Sequence, residues 1–233
     1  MLNKKIIAII PARGGSKQIK NKNIKKFLGK PLIHWTIEAA INSNSIDKIY
    51  VSTDSQLIIK KCRKFKNKIS ILKRPKNLAK DNTKMIDVIK NFLKNDFSKK
   101  KNFLGLMILQ PTSPLRNFED IKKSCKLFLK NKPDSLISIS KINHRYNPES
   151  IYKKNGIYIK KYNNKKIIPL RQKKDSFFAG NGAAIYITSK KNLNKFIIGG
   201  KKIIGYEMPP NRSIDIDTEF DFKIAEMIKK YGI

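Results

Sequence analysis

Five consecutive apolar residues, Ile6-Ile7-Ala8-Ile9-Ile10, run into Pro11 and then into Ala12-Arg13-Gly14-Gly15-Ser16-Lys17, with Lys22-Asn23 close behind. A short apolar run ending at proline has the length of a strand buried on both faces, the strand type of a parallel sheet covered by helices. The loop after it holds two glycines and several cations. Glycine lets the backbone approach a ligand closely and reach positive φ, and successive main-chain N–H groups in such a loop form a concavity that suits anions. Arg13, Lys17 and Lys22 would add charge-assisted hydrogen bonds to phosphate oxygens. The spacing is neither G-x-G-x-x-G nor G-x-x-x-x-G-K-[ST], so neither that dinucleotide fingerprint nor a P-loop is indicated. Taken alone, the same residues would also serve as an ordinary turn with solvated cations.

Alternating strand-like and helix-like patterns continue from there. Lys48 to Ser52, Lys68 to Leu72, Phe103 to Leu109 and Ser135 to Ser140 read as strands. Between them, Pro31 opens a helix through Ile41, Leu57 to Phe65 forms a second, Thr83 begins a third, and Phe118 to Leu129 forms a fourth. Repeated units of this kind predict an α/β fold, a Rossmann-like and mostly parallel sheet with helices on both faces. From about residue 141 to 180 the rhythm changes: Ile151-Tyr152-Lys153-Lys154-Asn155-Gly156-Ile157-Tyr158-Ile159 carries an Asn-Gly hairpin signal. This polar and aromatic excursion is expected to project from the sheet and to pack on a second copy of the chain. Gly182 to Ile187 and Lys202 to Glu207 return to strand patterns, and an amphipathic helix from Thr218 to Tyr231 stops at Gly232. All 233 residues are therefore expected to form one domain carrying a small dimerisation arm.

A formal net charge of +35 raises the possibility of a basic nucleic-acid-binding protein, since such proteins bind polyanions through counterion release. Only seven of the 52 basic residues are arginines, however (Arg13, Arg63, Arg74, Arg116, Arg145, Arg171 and Arg212), and the lysines are spread along the whole chain rather than gathered with aromatics on one face. Most lysines read as solvated surface, which leaves the rare arginines as the informative cations. No apolar run approaches the ~20 residues of a membrane span, and the Ile-rich run is too short for a signal peptide, so a cytoplasmic location is expected. Cys62 and Cys125 stand apart without a CxxC pair and are expected to be free thiols.

Near the other end lies Ser213-Ile214-Asp215-Ile216-Asp217-Thr218. In an extended segment Ile214 and Ile216 face one way and Asp215 and Asp217 the other, their Cα atoms about 6.6 Å apart. Two carboxylates so placed can hold Mg²⁺ together with substrate phosphates; otherwise Asp217 would be the N-cap of the last helix and Asp215 a surface charge. Leu109-Gln110-Pro111-Thr112-Ser113-Pro114-Leu115-Arg116 follows a buried strand, and ligands of parallel sheets sit beyond the carboxyl ends of strands, so Gln110 is expected near the glycine loop. Arg171 would suit a carboxylate or phosphate, which its guanidinium fork binds bidentately. His34 and His144 have no nucleophile signature beside them, and no Ser-His-Asp triad can be assembled.

Taken in order, Ile-Pro-Ala-Arg-Gly-Gly-Ser-Lys with Lys-Asn, Arg74-Pro75, Leu-Gln-Pro-Thr-Ser-Pro-Leu-Arg, Asn181-Gly182-Ala183 and Ser-Ile-Asp-Ile-Asp-Thr-Glu strongly resemble the acylneuraminate cytidylyltransferases, from about Lys5 to Met227. The resemblance implies that CTP and a nine-carbon 2-keto sugar acid react to give a CMP-sugar and pyrophosphate. It also implies Mg²⁺ and a homodimer whose arm reaches the partner's site. Carried over by position, Arg13, Gly14, Gly15, Ser16, Lys22, Asn23, Arg74 and Thr83 would hold the nucleotide. Gln110, Arg171 and Asn181 would hold the sugar acid, and Asp215 and Asp217 the metal, with Arg13, Lys22 and the two aspartates carrying catalysis. The chain departs from the family pattern at Asp81-Asn82-Thr83-Lys84-Met85, and Phe177-Phe178-Ala179-Gly180 lacks a basic residue often found there. Synthetases acting on legionaminate or pseudaminate stay open, while the eight-carbon type usually lacks the Gly-Gly-Ser-Lys form of the first loop.

Overall fold

The computed structural model describes residues 6–94, 102–162, 176–182 and 184–232. In chain order its elements are β1 (Ile6–Pro11), β2 (Lys26–Phe27), β3 (Lys30–Pro31), α1 (Leu32–Asn42), β4 (Lys48–Thr53), α2 (Gln56–Cys62), β5 (Ile69–Lys73), α3 (Met85–Lys94), β6 (Gly105–Ile108), α4 (Phe118–Asn131), β7 (Ser135–Lys141), β8 (Tyr152–Asn155), β9 (Tyr158–Lys161), β10 (Phe178–Gly180), β11 (Tyr186–Ser189), α5 (Lys190–Asn194), β12 (Ile203–Glu207) and α6 (Glu219–Tyr231). The fully apolar first strand sits at the middle of the main sheet, paired in parallel with β4 on one side and β6 on the other. β5 extends the sheet beyond β4, again in parallel. On the other side β11 runs antiparallel between β6 and β7, and β12 closes that edge parallel to β7. β10 also pairs with β7, through Lys141, Ser140 and Ile139. Because β12 already occupies one edge of β7 at Ile139, β10 lies on the same edge as β11, and Asn181, Gly182, Ala184 and Ile185 bulge out between them.

Side-chain alternation along β1 assigns each residue to one of two cores. Ile6, Ala8 and Ile10 join Ile33 and Ile37 of α1, Ile58 of α2, and Ile121 and Phe128 of α4. Ile7 and Ile9 join Val88, Ile89 and Phe92 of α3 and Leu193 of α5. Helices thus cover both faces, as expected of a buried parallel strand. A third cluster lies at the carboxyl end of the sheet, where Ile19, Phe27, Leu32 and Leu115 meet Ile216, Phe222 and Ala225.

Several boundaries differ from the sequence expectation. The helix expected from Thr83 starts at Met85, and the helix expected through Phe65 stops at Cys62 and finishes as a 3₁₀ turn. Gly182 opens no strand: it sits in the bulge with φ +68°, and β11 begins only at Tyr186. In the arm Asn155 pairs with Tyr158, so the two-residue turn is Gly156-Ile157 and Asn155 belongs to the strand. Both cysteines are buried and free, and burial pushes their thiols up to about 11 for Cys62 and about 12 for Cys125. Among the described residues no helix is long and apolar enough to cross a membrane.

Phe27 is fully buried in the third cluster, edge-on to Trp35 of α1 at 5.7 Å and to Phe222 of α6 at 5.4 Å between ring centroids. Phe27→Ala is expected to remove about 3–5 kcal/mol of stability, the usual cost of emptying a buried aromatic site. Urea unfolding would check it, and a loss below about 1 kcal/mol would mean that α6 is not anchored there.

Candidate active site

The loop after β1 is held as a closed ring. Ala12 N–H donates to the Ser52 carbonyl at 2.9 Å, Gly14 N–H to Asp54 Oδ1 at 2.9 Å, and Asn23 Nδ2 to the Arg13 carbonyl at 2.9 Å. A Cβ on Gly14 would stand 2.9 Å from Ser55 Cβ, closer than side chains tolerate, so the turn can pass β4's end only with glycine there. Gly15 has open space beside it. With its ends fastened, the loop turns Arg13, Ser16, Lys17 and Lys22 toward a cleft of about 470 Å³.

Loops from the carboxyl ends of β5 and β6 complete that cleft, with Arg74, Lys80, Asp81 and Thr83 from one and Gln110, Pro111 and Thr112 from the other. Arg74 is itself buried and braced on β4, its Nε donating to Ser52 Oγ at 3.2 Å and its Nη2 to the Ser52 carbonyl at 2.9 Å. The volume falls in the range of small-molecule and cofactor sites.

Residues 213–217 belong to no β-ladder: Ile216 is fully buried in the third cluster and Asp217 is exposed on the cleft, whereas Asp215 is not among the residues that line it. Ile216 N–H donates to the Thr112 carbonyl at 2.8 Å, tying the acidic segment to the loop after β6. Lys22 reaches across from the glycine loop, its Nζ donating to the Ile216 carbonyl at 2.6 Å and standing 3.4 Å from Asp217 Oδ1. The N-cap of α6 is Thr218, in a capping box with Asp221, and not Asp217. Asp217 is thereby left without a capping duty.

Asp215 is no surface charge. Burial, aided by the neighbouring Asp217 carboxylate, raises its pKa, while a hydrogen bond with Thr112 pulls it back, and its Oδ1 is buried without a hydrogen-bond partner. Gly182 packs directly on it, where a Cβ would lie 2.1 Å from Asp215 Oδ2. A buried orphan carboxylate oxygen two residues from an exposed carboxylate fits a divalent cation that keeps waters and shares substrate phosphates. No group of three or more His, Cys, Asp or Glu able to hold an ion by itself occurs among the described residues.

Asn181 is buried rather than open to the cleft. Its Oδ1 accepts from Ser138 Oγ at 2.6 Å and its Nδ2 donates to Ser213 Oγ at 3.0 Å, so its visible work is to join β7 to the acidic segment. Arg171 lies outside the described residues. Three participants escaped the sequence reading. Asp54 fixes the glycine loop, and Asp81 forms ion pairs with Arg13 and, at 2.8 Å, with Lys17. Those two cations hold the Asp81 carboxyl below its ordinary range, Lys17 contributing most. Asp120 grips Arg212 through its Nε and Nη2 at 3.0 and 2.9 Å and accepts from Tyr206 at 3.2 Å, fastening the 3₁₀ turn that leads into residues 213–217. Each finds this partner tens of residues away along the chain.

A cationic glycine loop thus faces the Asp217 carboxylate across one cleft at the carboxyl ends of parallel strands, the place where ligands of open α/β sheets bind. The chain belongs to the cytidylyltransferase family, whose sequence profile matches residues 7–231. Over 227 residues it is 34% identical to the N-acylneuraminate cytidylyltransferase of Streptococcus agalactiae, a match that covers 94% of this chain and 52% of that protein. Over 226 residues it is 30% identical to the pseudaminic acid cytidylyltransferase of Campylobacter jejuni, covering 97% of both. The chain thus spans about half the length of the N-acylneuraminate relative. Its fold is shared with CMP:2-keto-3-deoxy-manno-octonic acid synthetase, solved in complex with CTP, at a TM-score of 0.71 and 15% identity over 98% of this chain and 100% of the other.

Gly182→Ala would force a left-handed backbone on a residue with a Cβ and drive that Cβ into Asp215. The backbone term alone is expected to remove about 1–2 kcal/mol, read as a lowered thermal midpoint. Unchanged stability would show that the bulge takes another path.

Proposed function

We propose that the chain transfers the cytidylyl group of CTP to a nine-carbon 2-keto sugar acid, of the sialic acid, legionaminate or pseudaminate kind, and releases pyrophosphate. The observation that carries this reading is the Lys22 bridge, which sets the glycine loop against Ile216 and Asp217 within one nucleotide-sized cleft. The anomeric hydroxyl oxygen attacks the α-phosphorus, the bond from that phosphorus to the bridging oxygen breaks, and the hydroxyl proton is lost as pyrophosphate leaves. Arg13, Ser16, Lys22, Asn23 and the N–H groups of Gly14 and Gly15 hold the triphosphate, while Arg74 and Thr83 border the nucleoside. Triphosphate oxygens displace the Asp81 carboxylate from Arg13 and Lys17, exchanging one set of charge-assisted contacts for a stronger one. Gln110 and Arg171 serve the sugar acid, and Asn181, its amide engaged by Ser138 and Ser213, supports the acidic segment rather than touching the sugar. Asp215 and Asp217 would hold a divalent cation such as Mg²⁺, which would supply positive charge to the phosphates. Catalysis comes from positioning and from fixed charge facing the α-phosphorus and the leaving group.

The assay is pyrophosphate release from each nucleoside triphosphate with a panel of eight- and nine-carbon keto sugar acids. Release with CTP and a nine-carbon acid is expected, and its absence with every acid would end the proposal. Asp217→Ala is expected to lower turnover by about 10²–10³, the loss typical of one transition-state electrostatic contact, with its thermal midpoint close to that of the native chain. Full turnover in that variant would remove the metal assignment.

The same reading gives the arm a partner. Every residue of the β8–β9 hairpin is exposed, Ile157 at 87%, Tyr158 at 75% and Ile159 at 63%, an apolar tip that a stable monomer rarely presents to water. The chain is expected to elute as a dimer in size-exclusion chromatography with light scattering, and Ile157→Lys with Ile159→Lys to shift it to monomer. A monomeric native chain would overturn the arm's assignment.

A further inference from the structure

Arg116 is among the largest fully buried side chains, 2% exposed, and it does not line the cleft. Its guanidinium donates to the Gln110 carbonyl at 3.3 Å, to the Ala184 carbonyl, and to Thr36 Oγ1 at 2.8 Å. Burial lowers its pKa to about 10, which still leaves it cationic at neutral pH. No described carboxylate forms an ion pair with it: Asp120, the acid whose charge reaches it, is engaged by Arg212. A buried charge without an ion-pair partner is poor value as a stabiliser, because a well-packed apolar residue of similar volume often serves as well or better.

What the fork does is geometric. It ties three separate pieces of chain at one point: α1 through Thr36, the loop after β6 through Gln110, and the 181–185 bulge through Ala184. One of these pieces carries Gln110, which lines the cleft, and another carries Asn181, which ties Ser138 to Ser213 at the start of the acidic segment. A planar group with fixed donors holds these three acceptors in one arrangement with less loss of freedom than an ammonium on a flexible stem.

We propose that Arg116 is a positioning residue that sets the spacing between the Gln110 loop and the 181–185 bulge, and so shapes the sugar-acid side of the site without touching substrate. This rests on the functional reading above. Arg116→Lys keeps the charge and loses the fork; Arg116→Met keeps the bulk and loses both.

In both variants kcat/KM for the sugar acid is expected to fall on the order of 10²-fold, the scale of a misplacement of about 1 Å, mostly through a raised KM, while the KM for CTP stays within about threefold. A fall shared equally by both substrates, or no fall, would overturn the proposal. Hydrogen exchange gives a readout independent of catalysis: amides of residues 109–113 and 181–185 are expected to exchange at least about tenfold faster in Arg116→Lys, with those of α3 unchanged. Unaltered exchange in the two loops would overturn it too. A native chain inactive with every acid would instead count against the cytidylyl-transfer reading, leaving the exchange result to judge Arg116. Should Arg116→Met fail to fold, Thr36→Val removes one acceptor with little change of volume and is expected to raise the same KM by a smaller factor.

Discussion

Everything at the mouth of the sheet depends on a small apolar cluster distinct from the two cores that flank the sheet. Ile19 lies in the basic loop and Ile216 between the two aspartates, nearly two hundred residues apart, and both are buried against Phe27, Leu32 and Phe222. Burying an isoleucine is worth about 1.5–3 kcal/mol, more than an exposed ion pair typically supplies. The hydrophobic contact therefore brings the two segments together, and the charged contact between Lys22 and Asp217 follows from it. Alternation does the rest, since an apolar residue pointed into the cluster obliges its acidic neighbours to point away from it.

Around this joint the structure uses a few fixed polar contacts to hold flexible loops. Asp54 catches the glycine loop, Ser52 braces Arg74, and Asp120 with Arg212 pins the entry to the acidic segment. Each partner comes from the carboxyl end of a strand or the start of a helix, places whose backbone the sheet and capping boxes already position. Only then do the site cations matter as individuals. Most of the +35 charge lies on lysines spread along the chain, whereas Arg13, Lys17 and Lys22 share one cleft and already attract a carboxylate, Asp81.

The order of strands and helices was legible because each element carries its own signal. Ile6 to Ile10 is apolar at every position, and α6 shows both its amphipathic spacing and its terminal glycine. The start of β11 was misplaced because Gly182-Ala183-Ala184-Ile185 has strand-like composition, while the bulge there is imposed by Asn181 bridging to Ser138 and Ser213 and by Asp215 packed on Gly182. Those contacts join segments that no local pattern connects. For the same reason Asp81 appeared as a departure from a motif rather than as the partner of Arg13.

From its sequence alone this chain determines an α/β sheet with a basic glycine loop after the first strand and an acid pair before the last helix, because apolar periodicity, glycine and proline act over a few neighbouring residues. Only the tertiary structure decided that the loop and Asp217 share one cleft while Asp215 packs against Gly182, that Asp217 is no helix cap, and that Arg116 and Asn181 are buried ties between loops. Those outcomes depend on which distant apolar and polar groups find one another once the chain is packed, and a linear pattern holds no record of that.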